Sequence, residues 1–208
     1  MRTGLAYVFV PLHLDPRYAA FVLHYPVGLD RLHPLPLNTA RAALSHLREN
    51  AAHYHLDPAR LGVLGFSAGG HLAAHVAAEP GPAPNARPDF AVLLYPASSW
   101  RSFYTPGSNA SGHDPLLGAD PTPAQRDAVS IELIATRDTP PVLAIHAADD
   151  TVVPVRHSLL LTQALADLGV PVELHVLPHG GHGFGLDEEN PETHRWTDLC
   201  ANWLSRYA

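Results

Sequence analysis

A serine, a pair of aspartates and a pair of histidines, in that order along 208 residues, could carry out nucleophilic acyl transfer in this chain. The serine, Ser67, stands in Gly65-Phe66-Ser67-Ala68-Gly69, a G-x-S-x-G turn between the apolar run LGVLGF and the small-residue run AGGHLAAHVAAE. These flanks predict a short buried strand before the turn and a helix after it. That setting holds a serine at the tip of a strained turn with its Oγ above the sheet. Gly65, Ala68, Gly69 and Gly70 stay small where strand and helix nearly touch. The helix N-terminus aims free N–H groups at the place where an oxyanion would form, so Ser67 is the candidate nucleophile. An ordinary glycine-rich turn between strand and helix is the competing reading.

A serine nucleophile needs a base and an acid to orient that base, and in a parallel sheet both belong in loops at the carboxyl ends of later strands. Asp149 and Asp150 follow a run ending at His146, and His179 and His182 follow a run ending at Leu177. The order Ser, Asp, His is that of α/β-hydrolases. Either aspartate fits by spacing, and the other would then cap a turn or be solvated.

The elements that must position these residues can be read from periodicity. Strands are predicted at Ala6–Val10, Ala19–Tyr25, Leu61–Gly65, Phe90–Tyr95, Val142–His146 and Val172–Leu177. The first two are too close for a parallel crossover, so they pair as a hairpin or the first strays from the sheet. Helices are expected from Asn38 to about His55, after the serine turn, from a Thr122 cap to about Ala135, over Val155–Leu168, and from Asn190-Pro191 onward. In the last helix Trp196, Leu199, Cys200, Trp203, Leu204 and Tyr207 form one stripe, which makes Cys200 a core residue. Strands alternating with helices mean an α/β fold, with a mainly parallel sheet in one domain spanning 1–208. Residues 96–123 lose periodicity and read as an irregular loop over the site, with Trp100, Phe103 and Tyr104 as a pocket wall.

Composition excludes several function classes. A formal charge of −7 with only 13 Lys and Arg argues against a nucleic-acid or anionic-membrane surface. A single cysteine rules out an intrachain disulfide framework. With no membrane-length apolar run and no signal-peptide pattern near Met1, a soluble cytoplasmic protein is expected. The 15 histidines invite a metal reading. However, His71 and His75 lack an intervening H-E-x-x-H glutamate, His53 and His55 merely flank Tyr54, and no third ligand stands out, so no metal is expected. The sequon Asn109-Ala110-Ser111 reads as loop composition.

From about Ala19 onward the chain resembles the α/β-hydrolase esterases of the acetyl xylan esterase and carbohydrate esterase group. The matching pieces are AAFVLHYPV, GVLGFSAGGHLAAH, PLLG, TPPVLAIHAADDTVVPV and GVPVELHVLPHGGHGFGL, of which GFSAGGHLA and GGHGFGL are the most specific. The resemblance implies that Ser67 is the nucleophile, His182 the general base and then acid, and Asp150 the orienting carboxylate. It also implies that His71 hydrogen-bonds behind the turn. It requires no cofactor and implies a small acyl-ester substrate, such as an acetylated sugar.

The N-terminus departs from the family pattern. Pro11-Leu12-His13-Leu14-Asp15 stands where relatives carry a glycine-rich oxyanion loop and a helix, and two earlier strands are missing, which implies a shortened start. The N–H of Ala68 remains as one oxyanion donor, and that of Leu12 or His13 would have to supply the second. Two other functions compete with an esterase: a hydrolase fold kept as a binding module, and a small peptidase of the prolyl oligopeptidase type. An uncovered sheet edge at Ala19–Tyr25 further predicts a homo-oligomer.

Overall fold

The computed structural model describes residues 18–28, 31–79, 81, 83–103, 113–186 and 188–207. Its strands are β1 (Gly62–Phe66), β2 (Phe90–Leu94), β3 (His113–Asp114), β4 (Gly118–Ala119), β5 (Val142–Ala147) and β6 (Val172–Leu177). The helices are α1 (Leu35–Glu49), α2 (Ser67–Ala78), α3 (Trp100–Phe103), α4 (Pro123–Asp127), α5 (Ile131–Ile134), α6 (Arg156–Asp167), α7 (Pro191–His194) and α8 (Trp196–Tyr207). Four strands form one parallel sheet in the order β1-β2-β5-β6, while β3 and β4 make a small antiparallel hairpin.

The central strands are apolar on both faces because helices cover both. Val63, Ala91, Leu93 and Val142 pack toward α1, α2 and α6, meeting Leu44, Leu72, Val76, Leu161 and Leu165. Their alternates Leu64, Val92, Leu94, Leu143 and Ile145 pack against Trp196, Cys200, Trp203 and Leu204 of α8. This period-two alternation buries both sides of β2 and β5, while β6 is mostly half-buried with Val176 exposed, and it brings the strand ends level along one rim of the sheet. Cys200 is fully buried, as its place in the helical stripe predicts.

Several expected boundaries move. Helix α1 begins at Leu35, ahead of Asn38, because Pro36 fits in a first helical turn where its missing N–H costs nothing. It ends at Glu49, well short of His55. The helix expected from the Thr122 cap does carry a capping box with Gln125, but it breaks into α4 and α5. At the break the buried Ser130 hydroxyl donates to the Arg126 carbonyl and accepts the Arg101 N–H. Within 96–123, expected to be irregular, lie α3 and the β3–β4 hairpin.

The expected strand at Ala19–Tyr25 does not form. These residues carry no strand pairing, with Phe21 and Val22 exposed and Tyr25 buried in the core. A strand exists only through its ladder, and among the described residues nothing pairs with this stretch. The expected strand at Ala6–Val10 lies outside the described residues. The outer edge of β1 faces a cavity of about 540 Å³ lined by Ala19, Phe21, Leu44, Val63 and Leu72 among others. Among the described residues, no helix is long and apolar enough to cross a membrane.

Candidate active site

The site is built at the carboxyl ends of β1, β5 and β6. Strand β1 runs into α2 through Ser67, whose φ of 51° lies in the left-handed region that a serine adopts only under constraint. The turn is so tight that a Cβ on Gly65 would sit 2.1 Å from the Gly69 carbonyl oxygen. Two further bonds brace it from behind. The Ala97 N–H donates to the Ser67 carbonyl at 3.3 Å, and His71 Nδ1 donates to the Ala97 carbonyl at 3.1 Å. His71 thus lies behind the turn, as the resemblance implied. Burial pushes its titration well below the ordinary range, so the ring is neutral.

In front of the turn the structure brings three predicted residues into one hydrogen-bonded chain. Ser67 Oγ lies 2.8 Å from His182 Nε2, and His182 Nδ1 lies 2.7 Å from Asp150 Oδ2. Since an ionised carboxylate only accepts, Nδ1 carries the proton, and Nε2 presents its lone pair to the serine hydroxyl. The other carboxylate oxygen, Asp150 Oδ1, accepts the N–H groups of Val152 and Val153, each at 2.9 Å. Burial pushes the Asp150 carboxyl up, but the bond from His182 and the two N–H groups outweigh it and hold the group below the usual carboxylate value.

The rival aspartate has a different task. Asp149 Oδ1 accepts the Gly181 N–H at 2.8 Å, the main reason its carboxyl titrates lower than usual. Gly181 and Gly183, at φ of 60° and 84°, let the loop turn on either side of His182, in a conformation most side chains resist. His179 is exposed, 3.7 Å from Asp149, and takes no part in the chain with Ser67.

Sequence reasoning missed Tyr95. Its ring meets His182 edge-on at 5.0 Å and Phe184 at 4.6 Å, and its hydroxyl accepts the Gly185 N–H at 3.1 Å. Burial pushes its phenol up to about 12, so it stays protonated. Tyr95 directly follows β2, the buried strand beside the serine strand, and precedes a proline, which is the only signal that marked it. Trp100 was expected in a pocket wall. It instead lies buried against the His71 ring at 4.5 Å, with its indole N–H donating to Asp114 Oδ2 at 2.9 Å.

Ala68 is exposed in the first turn of α2, where backbone N–H groups have no intrahelical acceptor and no side chain caps the helix. Leu12 and His13, the expected source of a second oxyanion donor, lie outside the described residues, as does Tyr104. Among the described residues no three His, Cys, Asp or Glu side chains converge as metal ligands. The His71 and His75 rings contact each other edge-on, and His75 Nε2 reaches Glu79 at 3.3 Å.

This arrangement can lend a serine hydroxyl a base and hold that base in one tautomer. Known proteins share the frame. The chain is 32% identical to an acetylxylan esterase of Xylanibacter ruminicola over 198 residues, which is 89% of this chain and 38% of that protein. It is 33% identical to an endo-1,4-beta-xylanase B of Butyrivibrio fibrisolvens over 176 residues, 79% of this chain and 27% of that one. The chain therefore spans well under half the length of both curated relatives. Among solved structures, an acetyl ester-xyloside bifunctional hydrolase from Caldicellulosiruptor lactoaceticus aligns with a TM-score of 0.76 and 40% identity, covering 84% of this chain and 66% of its own. A family model described as alpha/beta hydrolase fold matches residues 17–186, and with the parallel sheet and the strand-turn-helix at Ser67 this places the chain in the α/β-hydrolase family.

Proposed function

We propose that the chain is a serine ester hydrolase that removes short acyl groups, with acetylated sugars as the substrate class. The observation that carries the reading is the hydrogen-bonded chain Ser67–His182–Asp150 at the tip of a strained turn. The names of the relatives support the ester and the sugar. In acylation, Ser67 Oγ bonds to the acyl carbon as its proton passes to His182 Nε2, and the alcohol leaves with that proton. In deacylation, His182 takes a proton from water, the hydroxide attacks the acyl carbon, and Ser67 Oγ recovers the proton as the carboxylic acid departs. Asp150 keeps the ring in the Nδ1–H tautomer and stabilises the imidazolium. The Ala68 N–H holds the oxyanion, and the second donor assigned to the hole is the N–H of Leu12 or His13.

Hydrolysis of p-nitrophenyl acetate by the chain and by Ser67→Ala tests the reading. Activity that disappears in the variant is expected; equal rates from two folded proteins would sink it. Replacing acetyl by longer acyl groups should lower kcat/KM. The expected homo-oligomer belongs to the same proposal; since Ala19–Tyr25 forms no strand, the edge assigned to it is that of β6, which pairs only with β5 among the described residues. A monomeric mass by light scattering at micromolar concentration would overturn that part.

A further inference from the structure

Beyond the three residues of the hydrogen-bonded chain, a second imidazole bears on the same carboxylate. His146, near the end of β5, is wholly buried. Its Nε2 lies 2.8 Å from the Val153 carbonyl oxygen and 3.3 Å from Asp150 Oδ2. A carbonyl cannot donate, so Nε2 must carry a proton, which bonds to Val153 and leans toward the carboxylate. Nδ1 is then a bare lone pair, and Ser158 Oγ, on α6, donates to it at 2.8 Å. Both ring nitrogens are satisfied in a single tautomer, since the other would place the Nε2 lone pair against the Val153 carbonyl.

We infer that His146 is a positioning residue for Asp150, fixing the carboxylate that orients His182. The route is short. His146 holds the Val153 carbonyl, the N–H of Val153 holds Asp150 Oδ1, and the same imidazole N–H faces the oxygen that His182 uses. The Asp150 carboxyl has no solvent exposure, so water cannot substitute for a lost protein donor without the turn opening. Ser158 extends the support to α6, so the acid turn hangs between the end of β5 and the helix that follows it. By sequence His146 ends a strand and stands four residues before Asp150, in a turn whose spacing resembles the family's acid turn; its contact with the carboxylate comes from the fold. The inference rests on the ester-hydrolase reading, since it assigns His146 a part in that reaction.

The test compares the wild-type chain with His146→Leu, which removes both ring nitrogens, and His146→Gln, whose amide N–H can reach the Val153 carbonyl. Two readouts are taken: steady-state hydrolysis of p-nitrophenyl acetate, and the low-field proton NMR signal of His182 Nδ1–H. His146→Leu should lower kcat about tenfold with KM within about twofold of wild type, as when one bond to a charged group is lost from the reaction but not from binding. His146→Gln should retain kcat within about threefold. The low-field signal should broaden by exchange with water in His146→Leu and persist in His146→Gln. Wild-type kcat and an unchanged signal in His146→Leu would overturn the inference, even with a lower Tm. A signal that responds in a chain that hydrolyses no ester would sustain the positioning role and overturn only the ester-hydrolase reading. Should His146→Leu fail to fold, Ser158→Ala carries the test: a drop in kcat of about threefold with a broadened signal is expected, and no change in either overturns the inference.

Discussion

Asp149 and Asp150 are adjacent in the chain yet grip two different parts of one loop. Asp150 Oδ2 meets the His182 ring at Nδ1, and Asp149 Oδ1 takes the backbone N–H of Gly181, the residue before it. One carboxylate orients the imidazole and its neighbour holds the backbone that carries it. Asp150→Asn should therefore lower kcat by about 10⁴-fold, because an amide no longer enforces the Nδ1–H tautomer. Asp149→Asn should cost about tenfold or less, since its amide oxygen can still accept from Gly181. Measured kcat values for the two variants, with circular dichroism as a folding control, check the assignment. Equal losses would contradict it.

Acid should destabilise the fold through its buried histidines. Burial lowers His75 and His157 from the ordinary 6.5 to about 4, and pushes His71 down as well. The unfolded chain takes up these protons at a higher pH than the folded one does. The contribution is therefore complete above about pH 6.5 and is lost as pH falls through about 4. His33, stacked on His75 at 5.2 Å, adds to the penalty for charging it, while Glu79 opposes it. Urea midpoints should hold from pH 7.5 to about 6.5 and then decline toward pH 4, and His75→Gln should flatten part of that slope. A constant wild-type midpoint would contradict this account.

The serine turn should tolerate no side chain at Gly65. A Cβ there would lie 2.1 Å from backbone oxygen, which cannot rotate away, whereas at Gly70 the nearest atoms are Pro96 carbons at 3.0 Å. Gly65→Ala should cost about 3 kcal/mol or more, and Gly70→Ala about 1–2 kcal/mol. Thermal melts of the two variants give the comparison, and a Gly65→Ala protein as stable as wild type would show that the turn can open.

Cys200 should be inert in the native protein. The thiol, on α8, is fully buried against the sheet, and burial pushes it up to about 12. Its reaction with a thiol reagent should track global unfolding, so added denaturant raises the rate in step with the unfolded fraction. A fast native reaction would mean that α8 opens locally.

Much of the site was legible because its parts are local in sequence. A small-residue turn between an apolar run and a helix sets Ser67 at the end of β1, since only such residues let strand and helix approach so closely. Asp150 and His182 follow two later apolar runs, β5 and β6, and parallel strands covered by helices must end on the same rim. The α/β class and the buried Cys200 follow from the same local patterns, and the brace at His71 from the family resemblance. What the sequence left open depended on contacts between distant segments. Asp149 and Asp150 share residue type and position, and only the path of residues 178–185 decides which one meets an imidazole. Tyr95 and His146 looked like core because they are core, while Trp100 looked like a pocket wall; their polar atoms find partners only across the fold, at Gly185, at Ser158 and at Asp114. The stretch Ala19–Tyr25 has the composition of a strand, but a strand is a relation between two backbones, and no second backbone is paired with it among the described residues.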